Sequence, residues 1–216
     1  MTDPIAGRTS EGPTTTARPA RARNPIGRAV VAALAVLCAA AGLLAAAPGT
    51  ARADQALSFV HWAAAGPSGA TGSWSGASVG LVGPMGTAFF LHDDYPNFTG
   101  PAFTPQLAAT GMVEIVGGAG HAFTVSFGVP VQNPVVMLGS LASVMRFPSG
   151  TSVTRVSGDS GFQAGNGVVT GTLGPNDSNG TVRLNGTFSS ISFTLVPNFA
   201  GGSGVDGVFF QVGGTR

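Results

Sequence analysis

Along residues 54–216 the apolar positions come in short runs, and Gly, Pro, Asn or Ser cuts nearly every one of them. The runs at 57–62 (LSFVHW), 79–82 (VGLV), 87–91 (TAFFL), 112–116 (MVEIV) and 122–127 (AFTVSF) have the length of β-strands bounded by turn residues. Gly117-Gly118-Ala119-Gly120 joins the last two at a length suited to a hairpin. Residues 135–141 (VVMLGSL) are apolar and continuous enough to predict a strand buried on both faces, with a short helical turn through 142–145 as the alternative. Residues 152–156, 168–173 and 181–184 alternate, and in 187–195 (TFSSISFTL) apolar residues recur at every second position from Ile191. A last run, 207–212 (GVFFQV), closes the chain. The pattern predicts an all-β domain of about ten strands, a β-sandwich of jelly-roll-like type. No window beyond residue 54 carries a 3.6-residue stripe and no fixed-period repeat occurs, so long helices, solenoids and propellers are not expected. Residues 97–105 (NFTGPAFTP) and 174–180 (GPNDSNG) read as loops.

The first 53 residues follow another pattern. Residues 29–47 (AVVAALAVLCAAAGLLAAA) are uncharged, Arg18, Arg21, Arg23 and Arg28 precede them, and Ala51-Arg52-Ala53 follows. A basic n-region (1–28), an apolar h-region (29–47) forming a signal-peptide helix, and a small-x-small cleavage site are the requirements of secretion. Cleavage is expected after Ala53, leaving 54–216 as the mature domain. The apolar run approaches the roughly 20 residues of a membrane span, so an uncleaved anchor is the alternative. No small residue stands directly before Cys38, and no two arginines of the n-region are adjacent, which argues against lipoprotein and twin-arginine signals.

Composition changes once this segment is set aside. Six of ten arginines and two of nine acids leave with it, so four Arg face seven acids and the net charge becomes 4 − 7 = −3 instead of +1. A domain so poor in positive charge does not suit a phosphate backbone, so nucleic acid is not an expected partner. The single cysteine also leaves, removing disulfide and thiolate chemistry. All ten basic residues are Arg, and with abundant Ala and Gly they suggest a GC-rich bacterial genome.

Four groups of residues could carry chemistry. Gly158-Asp159-Ser160-Gly161 resembles the nucleophile motif of chymotrypsin-like proteases. Only 39 positions separate Ser160 from His121, however, and Phe-Gln-Ala follows the motif, so a turn is the better reading. His92-Asp93-Asp94-Tyr95 is the densest polar cluster; its oxygens would suit calcium, its imidazole a transition metal, and the whole cluster sugar hydroxyls. Its alternative is a solvated turn. Trp62 reads as core, whereas Trp74, within a Gly/Ser-rich stretch, is equally a core residue or an exposed stacking face. Trp74, His92, Asp93, Asp94 and Tyr95 therefore form the candidate ligand-binding set. Glu114, inside an apolar strand, needs a partner, and no pair of carboxylates for glycoside hydrolysis stands out.

The run NPVVMLGSLAS … VSG … GNGVVTG … NGTVRLNGTFSSISFTL … DGVFFQVG, between Asn133 and Gly213, resembles uncharacterised secreted or surface-displayed bacterial β-sandwich domains in which an Asp-Gly precedes the final strand. The resemblance covers about half of the mature domain and implies a fold style, with no catalytic residues to carry over. Three classes remain open: a non-catalytic extracellular or cell-surface binding domain recognising glycans or an envelope component, a structural envelope or matrix protein that self-associates through strand edges, and a small hydrolase using Asp93, Asp94 or Glu114 with a His. No cofactor other than calcium is suggested, and the membrane is a partner only through the signal segment.

Overall fold

The computed structural model describes residues 56–86, 91–92 (backbone), 98–107, 111–172, 177–198 and 204–216. The expected signal segment lies outside them, and Arg52–Arg216 form a compact unit of their own. The described strands are β1 (Ser58–Phe59), β2 (His61–Gly66), β3 (Gly69–Trp74), β4 (Ala77–Val82), β5 (Leu91–His92), β6 (Met112–Gly117), β7 (Ala122–Leu141), β8 (Ser143–Arg146), β9 (Val153–Gly158), β10 (Gln163–Gly165), β11 (Val168–Thr170), β12 (Ser178–Leu184), β13 (Thr187–Pro197) and β14 (Asp206–Thr215). The fold is all-β. Its sheet is open and antiparallel, following the order β10-β11-β8-β13-β7-β14-β6-β5, with β4-β3-β2 and β12-β9 branching from β7.

The two runs expected at 122–127 and 135–141 are one 20-residue strand, and its halves have different neighbours. From Ala122 to Gln132, β7 pairs with β13, and from Thr124 to Phe127 with β4 on the other side. From Val135 to Leu141 its neighbours are β12 and β14. The change falls at Asn133, which adopts φ 45°, a left-handed conformation that Asn tolerates better than most residues. Its N–H donates to Gly186 O at 2.7 Å, and Gly186 N–H donates to its Oδ1 at 3.1 Å. Two arms of sheet therefore share β7.

The main core lies where the arms meet. Phe193 of β13 stacks on Phe123 of β7 at 5.1 Å in the first arm, and on Phe210 of β14 at 5.8 Å in the second. Trp62, Val125, Leu138, Leu184, Leu195 and Val212 are fully or almost fully buried around them. Each such side chain contributes about 1.5–3 kcal/mol through removal from water. A second apolar cluster covers the outer face of the second arm: Met112 of β6 and Met137 of β7 pack under Phe98 and Phe103, with Phe59 and Phe209 alongside. The stretch 97–105, expected as loop only, is thus in its described part a loop with a buried underside. Phe98 and Phe103 meet edge to face at 5.0 Å, and Leu107 N–H closes the loop on Phe98 O at 2.9 Å.

Several expectations need correction. Gly117–Gly120 does not make a hairpin, because β14 lies between β6 and the second half of β7, so the turn carries the chain from one arm to the other. Residues 143–146 are strand, not a helical turn, because β8 is needed as the partner of β13 and β11. Residues 61–82 hold three strands, one more than the apolar runs predict. Ser75 and Gly76, with φ 48° and 78°, form the tight two-residue turn between Trp74 and Ala77.

Candidate functional site

Trp74 ends β3 on its inward face, 2% exposed, with its indole N–H donating to Ser58 O at 3.0 Å. This corrects the stacking-platform expectation: burial leaves no aromatic face for a ligand. Trp62 is core as expected, its indole N–H donating to Gln211 Oε1 at 3.2 Å. His92 is described only as the backbone partner of Met112 at the end of β5. Its side chain, and all of Asp93, Asp94 and Tyr95, lie outside the described residues. Among the described residues no three His, Cys, Asp or Glu side chains gather as metal ligands would.

The described aspartates serve the fold, two of them by holding backbone N–H groups and one by holding a serine hydroxyl. Asp159 of the Gly-Asp-Ser-Gly motif accepts the N–H of Gly161 and of Phe162, both at 3.1 Å, and the N–H of Asn179 at 2.6 Å. The motif is a turn tied to β12. His121, the other residue of that comparison, donates Nδ1–H to Val116 O at 2.8 Å. Asp177 accepts from Ser140 Oγ at 3.0 Å. Asp206, the aspartate of the closing Asp-Gly, is buried and accepts both Ala142 N–H at 3.0 Å and Ser143 Oγ–H at 2.5 Å. Desolvation raises its pKa above the ordinary carboxylate value, the two hydrogen bonds partly oppose this, and Asp177 adds to the rise. The half-buried Glu114 carboxylate lies against Gly86, where an added Cβ would come within 3.0 Å of it.

What remains is a groove of about 310 Å³ on the first arm, where β8 leaves β13. Phe123, Phe147 and Phe193 form its floor, Phe147 lying 5.9 Å from Phe193. Thr124 and Ser192, cross-strand partners whose hydroxyls are hydrogen-bonded at 3.0 Å, form one wall with Thr194. Arg146 and Pro148 form the other. The four arginines beyond residue 53 differ in one respect. Arg155 donates to Gly158 O and Asp159 O, Arg183 to Asn185 Oδ1, and Arg216 to Ser75 O. The exposed guanidinium of Arg146 alone has no hydrogen-bond or ion-pair partner among the described residues. A second groove, about 330 Å³ over β2–β4, is lined by Ala, Gly, Leu and Val, with Ser68 and Thr71 as its only polar side chains.

Sequence reasoning missed the first groove. Its signal was a lone Arg between Met145 and Phe147, followed by Pro, in a segment nearly free of charge. A free cation above an apolar floor, walled by hydroxyls, can hold an anionic group and a small apolar one together. Among the described residues that line it, none forms a nucleophile–base or carboxylate pair. Comparison with protein-family models, with curated proteins and with solved structures yields no match.

Proposed function

We propose that the chain is a secreted, non-catalytic binding domain that acts outside the cell or at the cell surface, its sheet folded as a jelly-roll-like β-sandwich. The sandwich reading is supported by the contact of Phe193 with Phe210 across the two arms. Export is supported by the basic, apolar and small-x-small segments of residues 1–53. The binding role rests on the groove at Arg146, where an unengaged cation stands beside apolar surface in a domain that otherwise uses its arginines on itself. The non-catalytic role accords with Asp159, Asp177 and Asp206 each holding the turns and strand ends beside it. The expected partner is an extracellular glycan or another component of the cell envelope.

Two measurements test this reading. N-terminal sequencing of the protein recovered from culture medium should begin at Asp54; recovery of the intact chain with the cells alone would overturn secretion. The full chain should be retained by purified envelope fractions, and Arg146→Glu should lose most of that retention. Equal retention of both proteins, or of neither, would overturn the groove as the binding site. A glycan array run with and without calcium identifies a sugar ligand.

A further inference from the structure

β13 is flanked unequally. On one side β7 accompanies it from Thr187 to Thr194, whereas on the other β8 accompanies it only from Thr194 to Pro197. Arg146, opposite Thr194, is the last residue of β8. There the chain leaves, and Phe147 N–H turns to Gly167 O at 2.9 Å. The stretch of β13 before Thr194 therefore has a strand edge without a strand partner among the described residues.

The hydrogen-bond phase shows which residues face that edge. Leu195 N–H donates to His121 O at 3.1 Å, so Leu195 directs its main chain toward β7. In an antiparallel ladder the direction alternates. Phe193 and Ile191 thus also face β7, while Thr194, Ser192 and Ser190 face the opposite side. Thr194 meets β8 there, and Asn198 N–H, in the same phase, donates to Ala142 O at 2.8 Å. Ser192 and Ser190, the next in phase, offer their N–H and C=O groups along about 7 Å of edge. The groove at Arg146, Phe147 and Pro148 opens onto this edge.

We infer that this edge binds an extended peptide carrying a carboxylate, which adds as a strand in line with β8. The inference rests on the binding-domain reading and names the ligand of the same groove. Main-chain donors and acceptors at alternate residues are matched by another extended backbone, the usual mode of strand addition. The guanidinium of Arg146 supplies the charge complement for an acidic side chain or C-terminus. Phe147 and Pro148 receive an apolar side chain of the added strand. A sugar ring is the weaker match: it needs an open aromatic face, and Phe123 and Phe193 are 2% and 3% exposed and stacked on each other.

The test uses the full chain, with and without residues 1–53, and tetrapeptides rich in Val and Thr with either a free or an amidated C-terminus. Free-carboxylate peptides should bind at least tenfold more tightly than their amides, and Arg146→Gln should abolish that preference. Bound peptide should slow amide exchange at Ser192 and Ser190 at least tenfold. Ser192→Pro removes an edge N–H that takes no part in the β7 ladder, so it should weaken binding at least tenfold while thermal unfolding stays within a few degrees. Absence of exchange protection at Ser192, or a carboxylate preference that survives Arg146→Gln, would sink the inference. If no peptide binds while envelope retention still depends on Arg146, strand addition is wrong and the binding-domain reading stands. If both fail, the groove is not a binding site.

Discussion

The two arms of the sheet share one core but treat their outer faces differently. On the first arm the outward positions are Thr124 and Ser126 of β7, Ser190, Ser192 and Thr194 of β13, and Arg146 of β8, exposed or half-buried. On the second arm the outward positions include Met112 and Met137, fully buried beneath Phe98 and Phe103. β7 carries both designs along one strand. Its first half alternates between exposed and buried residues, and its second half is buried almost throughout. Continuous apolarity in an antiparallel strand means that something covers the second face, and here the cover is a loop. The open hydroxyl face leaves an edge and a groove accessible, while the covered face spends its outer surface on stability.

Stripping the cover should have the largest effect. Phe98→Ala should lower unfolding free energy by about 3–5 kcal/mol in denaturant titration. A loss below about 1 kcal/mol would mean that the loop does not stabilise the second arm. Next comes the divide between the arms. Asn133→Ala keeps the left-handed backbone but loses Oδ1, and should cost about 1–2 kcal/mol, whereas Asn133→Gly should recover much of the loss. Equal effects of the two substitutions would show that conformation at this position is unimportant.

Asp206 should give a smaller, pH-dependent effect. Its folded pKa is raised, so the folded state holds the proton more tightly than the unfolded state does. Its contribution is then fully present below the unfolded value of 3.8 and declines as pH rises through the folded pKa. Asp206→Asn removes that titration, so the stability difference between variant and parent should shift in favour of the variant across the same window. A pH-independent difference between the two unfolding profiles would contradict this. Smallest of all, the double change Thr124→Ala and Ser192→Ala on the open face should stay within about 0.5 kcal/mol, because exposed hydroxyl pairs contribute little. A larger loss would show that the open face is a structural surface after all.

Strands were legible wherever apolar residues mark one face. The alternation of 187–195 matches β13, and the largely apolar 135–141 run foretold burial on both sides. β3 was not legible, because in Gly69–Trp74 (GATGSW) the inward positions are Ala70 and Trp74, and one small side chain gives little hydrophobic contrast. The same dilution by Gly and Ser made Trp74 look exposed, when the tight turn at Ser75-Gly76 seats it in the core. Connectivity was hidden for another reason. Loop length does not distinguish a hairpin from a crossing between arms, so Gly117–Gly120 could not reveal that β14 would come between. The groove escaped because its parts come from β7, β8 and β13, and no sequence neighbourhood contains them together.

One pairing bears on when this fold can exist. β1, the first of the described strands, pairs with β14, the last of them, through Ser58 opposite Gly214 and Phe59 opposite Gly213. β14 also lies between β6 and β7, so until it has been synthesised the second arm lacks the strand that joins its halves. At roughly 5–20 residues per second, a ribosome needs on the order of 10–40 s to make the chain. For that interval the polypeptide cannot complete its tertiary structure, because β14 is the last of the described strands to be made. The late closing strand therefore sets the moment at which the second arm can be completed.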